Sequence, residues 1–338
     1  MKKFILIFAI SIFFSFFLPL FAIADWLSGW NYRKPITINN TSNSNNLTDY
    51  QVLITLDTQS LISSWKMRSD CGDIRFTDSN GTNLLNYWIE SGTNTTSTKI
   101  WVKIPSIPAN STKTIYVYYG NPSATSQSNG DAVFLFFDDF PGTSLNTTKW
   151  PTKSGTITVN NGIATISAGS YIAASNFDFR NYNAAAFEGK VATQYASGMV
   201  ANFGVVSSNN FGMNYLQSPR GFNHCWYTGG AIWAESYNDS SGNEYSYGTY
   251  TTSWNRISLK WISGTSVVFN SEGNTYTKTD YIPTQSASAA MNPHINSYSG
   301  GAIYLDFVFA RKYTSPEPTT SVGTEEYIYS PLLFLLFE

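Results

Sequence analysis

The sequence predicts an all-β protein, a small β-sandwich followed by a larger jelly roll. Three observations carry this. Between residues 30 and 313, apolar and polar residues alternate with a period of two in runs rich in Val, Ile, Thr, Tyr, Phe and Trp, the pattern of half-buried strands. Turn residues recur about every eight to twelve positions. The stretch GNPSATSQSNGD at residues 120–131 then breaks the pattern with small polar residues, a linker composition.

Taken in order, RKPITI, YQVLITL, DIRFTD, NYWIES, KIWVKI and KTIYVYY read as the strands of the first unit, residues 25–120, with one helical turn at LISSWKM. Residues 121–131 are the expected linker. The second unit, residues 132–313, holds about a dozen strands by the same pattern. TITVNNGIATI is a hairpin whose Asn161-Gly162 supplies the positive φ of a tight turn. SVVFNSEGNTYTK is a second hairpin with a longer loop, and RISLKWI and AIYLDFVFARKY are strong strands. So many strands suit two large packed sheets. Residues 314–338 are expected to be a Pro/Thr/Glu tether and a short apolar tail, YIYSPLLFLLFE, well under the ~20 residues of a membrane helix. A frayed end, a strand added to a neighbour's sheet edge and the start of an anchor are the readings of that tail.

The chain opens MKKFILIFAISIFFSFFLPLFAIADW. Lys2 and Lys3, an apolar run and the small-x-small triplet Ala22-Ile23-Ala24 predict a signal peptide over residues 1–24, with an uncleaved anchor as the alternative. An extracellular or cell-surface location is therefore expected, with membrane contact only through that segment. Charged residues make up 12% of the 338 and the net charge is -2, without a basic run; this argues against nucleic acid as a partner. Sequons begin at Asn39, Asn40, Asn46, Asn80, Asn94, Asn110, Asn146 and Asn238, as on a glycosylated surface. Cys71 and Cys225 fall in different units; two buried thiols are expected, with an interdomain disulfide as the alternative. Two histidines and no CxxC leave no zinc or iron site.

The segments WNYRKPITINN, DYQVLITLDTQSLI, DCGDIRFTDSNGTNLLNYWIES and IWVKIPSIPANSTKTIYVYYGNPSATSQSNGD together resemble domain-of-unknown-function family 2341 over residues 28–137. The family name implies secreted and surface proteins and no activity. FFDDFPGTSLNTTKW and GAIYLDFVFARKY resemble the first and last strands of a concanavalin-A-like, laminin-G-like jelly roll. That superfamily implies sugar- or protein-binding modules and some glycoside hydrolases.

Hydrolases of that fold carry their carboxylates on one strand as E-x-D-x-(x)-E. Here Glu188, Glu235, Glu244 and Glu272 do not lie in that pattern, so a non-catalytic chain is expected. The most distinctive stretch is FNHCWYTGGAIWAESY at residues 222–237. Folding it about Gly229-Gly230 pairs Trp226 with Trp233, His224 with Glu235 and Phe222 with Tyr237, all on one face. Trp226, Trp233, His224, Glu235 and Tyr237 are the candidate ligand-binding residues, since aromatic rings stack on sugars and polar groups take hydroxyl protons. A plain core is the competing explanation, and a register slip would exchange the faces. Asp139 on the first jelly-roll strand and Asp306 on the last, with Asp138, are candidate ligands for a structural Ca²⁺. The expected role is adhesion or binding to a glycan or other cell-surface component. The alternatives are a structural subunit that self-assembles through sheet edges or its tail, and a divergent glycosidase.

Overall fold

The computed structural model describes residues 26–194, 198–207, 221–227, 230–249, 251–271 and 273–328. The predicted signal peptide and the tail beyond residue 328 lie outside them. Among the described residues no helix is long and apolar enough to cross a membrane.

The first unit contains β1 (Tyr32–Asn39), β2 (Leu47–Leu56), α1 (Thr58–Ser63), β3 (Arg75–Thr77), β4 (Leu84–Leu85), β5 (Tyr87–Ser91), β6 (Thr98–Ile107) and β7 (Thr112–Tyr119). After α2 (Gly130–Val133) the second unit runs β8 (Phe136–Asp138), β9 (Thr152–Ser154), β10 (Ile157–Asn160), β11 (Ile163–Ile166), β12 (Ser170–Ala173), β13 (Ala184–Gln194), β14 (Val200–Ser207) and β15 (Gly221–Tyr227). It continues with β16 (Ala231–Tyr237), β17 (Gly242–Thr249), β18 (Asn255–Ile262), β19 (Ser266–Ser271), β20 (Asn274–Lys278), β21 (Met291–Ser299) and β22 (Ala302–Lys312), and β23 (Thr319–Val322) and β24 (Glu326–Tyr327) follow.

The predicted all-β class is the observed one. In the first unit a sheet ordered β23-β1-β7-β3-β4, with β24 also on β1, packs on a three-stranded sheet β2-β6-β5. Ile36, Ile38, Ile54, Ile100, Val102 and Val117 fill the space between them, each on the inward parity of its strand. The jelly roll has an eight-stranded sheet, β10-β11-β22-β13-β18-β19-β20 with β8 on β22, and a seven-stranded sheet, β17-β16-β15-β14-β21-β12-β9. Phe187, Phe203, Phe222, Leu259, Trp261 and Ile295 form its core. The hairpin at Asn161-Gly162 closes as expected, with Asn160 opposite Ile163 and both turn residues at positive φ.

Two expected connectors are structured. Residues 121–131 lie along the first unit: Arg75 Nη2 donates to the Thr125 carbonyl at 2.7 Å and Asn129 N–H to the Tyr87 carbonyl at 2.9 Å. The expected tether after residue 313 instead returns to the first unit. Thr319–Val322 pairs with Ile36–Asn39, and Glu326 and Tyr327 with Arg33 and Tyr32. An open strand edge on β1 supplies the partners that this polar segment's own composition does not advertise.

The first unit sits on the outer face of the eight-stranded sheet. Trp88, Trp101, Phe134, Phe137, Phe307 and Phe309 form an apolar cluster there, with the Phe134 and Phe309 rings stacked at 4.0 Å. Beside it the buried Glu188 accepts from Arg311 Nε at 2.5 Å and Arg256 Nη2 at 2.9 Å. Arg311 Nη1 also binds Glu317 at 2.6 Å, and Trp101 Nε1 donates to Glu90 at 2.7 Å. Burial works against the charge on Glu188, and the nearby Arg311 and Arg256 outweigh it, so its pKa is lowered. Both cysteines are buried and neither forms a disulfide.

Candidate functional site

The hairpin of residues 222–237 forms, in a register one residue away from the expected one. Tyr227 pairs with Ala231, Trp226 with Ile232, Cys225 with Trp233, His224 with Ala234, Asn223 with Glu235 and Phe222 with Ser236. The connection between β15 and β16 therefore spans three residues, ending at Gly230 with φ +88°, rather than a two-residue Gly-Gly turn. A slip of one exchanges the faces of one strand relative to the other.

The expected cluster is thereby divided. Phe222, His224 and Trp226 point into the sandwich: Trp226 is 2% exposed and His224 0%. The His224 ring meets Trp226 at 4.5 Å, and its Nδ1 hydrogen-bonds the Tyr247 hydroxyl at 2.6 Å. Burial holds its pKa down at about 3, so the ring is neutral. His224 and Trp226 are core residues. Trp233, Glu235 and Tyr237 remain together on the outer face, with the buried Cys225 on the same side.

That outer face carries a row of polar side chains across four adjacent strands. Asn202 Nδ2 on β14 donates to Asn296 Oδ1 on β21 at 2.8 Å. Asn223 Nδ2 on β15 donates to Asn202 Oδ1 at 2.5 Å and to Glu235 Oε2 on β16 at 3.3 Å. All four residues are 1–2% exposed. Gly204 makes room for the row: a Cβ there would stand 2.3 Å from Asn223 Oδ1. Within this buried region Asn223 Oδ1 and Trp233 Nε1 make no hydrogen bond, leaving one acceptor and one donor uncommitted.

On β17 the row meets a second acid. Glu244 stands directly opposite Glu235, and it is exposed where Glu235 is buried. Burial, then the charges of Glu235 and Glu244, push the Cys225 thiol well above its usual range. Both carboxylates thus lie close to that one sulfur, which stays protonated. Trp233 and Tyr237 flank the pair half-buried. At the far end of the row Tyr171 and Tyr298 border a cavity of about 160 Å³ that Asn296 also lines, and the Tyr171 ring lies 6.1 Å from His294.

The expected calcium pair does not assemble. β8 and β22 are neighbours, but Asp139 is exposed and Asp306 is taken by Lys190 Nζ at 2.5 Å. Asp138 accepts from Trp150 Nε1 at 2.7 Å and Phe140 N at 2.9 Å. Among the described residues no group of three or more His, Cys, Asp or Glu is placed to hold a metal.

Sequence reasoning missed Asn202, Asn223 and Asn296. Their signal was present: asparagine is depleted from strands, and ANFG, FNHC and HINS each place one within a strand-like run.

A family model described as domain of unknown function, DUF2341, matches residues 70–153, beginning later and ending later than the resemblance over residues 28–137. No curated protein matches the chain. Among solved structures it is similar to a β-1,3-1,4-glucanase (lichenase) from a mouse hindgut metagenome, at 13% identity and TM-score 0.43, covering 53% of this chain and 99% of that one. It is similar to an endo-β-1,3-glucanase from Pyrococcus furiosus, at 12% identity and TM-score 0.42, covering 54% and 95%. A laminarinase catalytic domain from Thermotoga maritima gives 10% identity and TM-score 0.41, covering 54% and 98%. These neighbours are glucanases and laminarinases, which runs against the expectation of a non-catalytic chain.

Proposed function

We propose that the jelly roll binds a glycan on the outer face of its seven-stranded sheet and hydrolyses a glycosidic bond there, with Glu235 and Glu244 as the carboxylate pair. The observation that carries this reading is the register of β16 on β17, which sets the two glutamates opposite one another. Directly opposed residues have Cβ atoms about 4.5–5.5 Å apart, a placement from which two glutamate side chains can reach the ~5–5.5 Å carboxylate spacing of retaining glycosidases. Glu235, nearly buried and fixed by the Asn223 amide, is the proton donor to the leaving oxygen. Glu244, exposed, attacks the anomeric carbon, and water later releases the glycosyl-enzyme as Glu235 takes back a proton. Trp233 and Tyr237, half-buried beside the pair, give flat apolar surface for a sugar ring. The substrate is met outside the cytoplasm.

The test is incubation of the full chain with β-1,3-glucan, β-1,3-1,4-glucan and a broad polysaccharide panel, reading reducing ends and product anomer. The expected result is product of retained configuration, with Glu235→Gln and Glu244→Gln each slowing release by about 10²–10⁴-fold. Release from none of the panel, or an unchanged rate in both variants, overturns the reading.

A further inference from the structure

The turn that ends α1 breaks two rules at one residue. Ser64 is the C-cap of α1. Trp65 N–H donates to the Ile62 carbonyl and Lys66 N–H to the Leu61 carbonyl, both at 3.0 Å. This paired bonding is the Schellman termination, whose residue just past the cap takes a left-handed conformation and is usually glycine. Here it is Trp65, at φ +60°, a bulky side chain in a conformation that L-residues resist. The same indole is 95% exposed, although a Trp gains by burial. Glycine would relieve the backbone, and any polar residue would relieve the exposure. A position that departs from local physics twice is a place to look for function.

The surroundings say what the ring meets. Trp65 stands at a groove of about 270 Å³ lined also by Asn31, Tyr32, Lys66, Arg68 and Pro122. Lys66 lies over the Tyr32 ring at 5.2 Å and pairs with Glu325 of the returning strand segment. Arg68 is held by Asp70 at 2.7 Å. One flat apolar ring beside fixed hydrogen-bonding groups matches the two sides of a pyranose, whose C–H face stacks and whose hydroxyls bond. A bilayer surface calls for an extended apolar face; among the residues lining this groove Trp65 is the one large exposed apolar side chain, with Tyr327 and Ile328 exposed on the segment paired to Tyr32 and Asn31.

We propose that Trp65 and this groove form a carbohydrate-binding site on the first unit, holding one pyranose ring of a polysaccharide against the indole. The site is separate from the carboxylate pair of the jelly roll and does not depend on it.

The experiment compares retention on the polysaccharide panel by affinity electrophoresis for the full chain, Trp65→Gly and Trp65→Tyr, all carrying Trp233→Ala to weaken the other face. Thermal unfolding is read in parallel. Trp65→Gly is expected to lose retention at least tenfold while its unfolding midpoint rises by about 1–3 °C; Trp65→Tyr keeps part of the retention. Equal retention in Trp65→Gly, or a lowered midpoint, overturns the proposal. So does loss of binding to phosphatidylcholine–phosphatidylglycerol vesicles in Trp65→Gly with no polysaccharide retained by the parent.

Discussion

The two outer faces of the jelly roll each bury a glutamate within a sheet, Glu188 on the central strand β13 and Glu235 on β16 beside the edge, and the neighbours around each differ in kind. On the eight-stranded sheet Glu188 is buried between Arg311 and Arg256, beside an aromatic cluster shared with the first unit. Its charge is matched by guanidinium groups at hydrogen-bond distance, which a buried carboxylate requires. On the seven-stranded sheet Glu235 is 1% exposed, with the Asn223 amide as a neutral donor and the Glu244 acid opposite. The first arrangement is a complete ionic joint that fixes one unit on the other. The second sets two acids together beside uncommitted polar atoms, the arrangement that chemistry on a bound sugar needs.

Removing one side of the complete joint should cost most. Arg311→Ala takes one of two guanidinium partners from Glu188 and leaves Glu317 with Lys260 as its ion-pair partner, and a loss of about 3–5 kcal/mol is expected in denaturant unfolding. A value below 1 kcal/mol would show that the joint is not the desolvated pair described.

Acid comes next. His224 and His294 are held neutral by burial, with pKa values of about 3. Both are depressed below the unfolded value of 6.5, so the unfolded chain binds more protons between those limits. Their contribution is complete above about pH 6.5 and is lost as pH falls, by up to about 1.4 kcal/mol per unit for each ring. Glu188 and Glu317, whose pKa values are lowered, add to the loss only at lower pH, where unfolded carboxylates titrate. His224→Gln should shrink the slope between pH 6 and 5; an unchanged slope would place the histidine elsewhere than in the core.

The amide row should be less costly to break. Asn202→Ala strands partners on both sides of the row, and about 1–3 kcal/mol is expected. Smallest of all is Lys190→Ala, which removes an ion pair whose side chains are 39% and 34% exposed. A change under about 1 kcal/mol is expected, and millimolar Ca²⁺ should leave the unfolding midpoint of the parent unmoved. A calcium-dependent rise would restore the Asp139–Asp306 site.

How much of this was legible follows from the length scale of each signal. Period-two alternation and Asn-Gly turns are local, and the strands of both units and the hairpin at residues 157–166 were readable from them. The face of Trp226 and His224 was not, because a two-residue and a three-residue connection both use the same glycines and differ only in parity. Glu188 is the one acid in AAAFEGKVATQ, but its partner Arg311 is 123 positions away, beyond the reach of local pattern. The strands at residues 319–327 looked like linker because their stability comes from the edge of β1 and not from their own apolar content. Trp65 was hidden in a helical turn, where its exposure and left-handed backbone appear only in three dimensions.

The most direct test of the central claim is a time course on whichever panel glycan the parent processes, comparing it with Glu235→Gln for both cleavage and retention. The expected variant still holds the glycan and releases product at least a hundredfold more slowly. A variant that cleaves at the parent's rate would contradict it, because the buried end of the amide row would then take no part in the reaction.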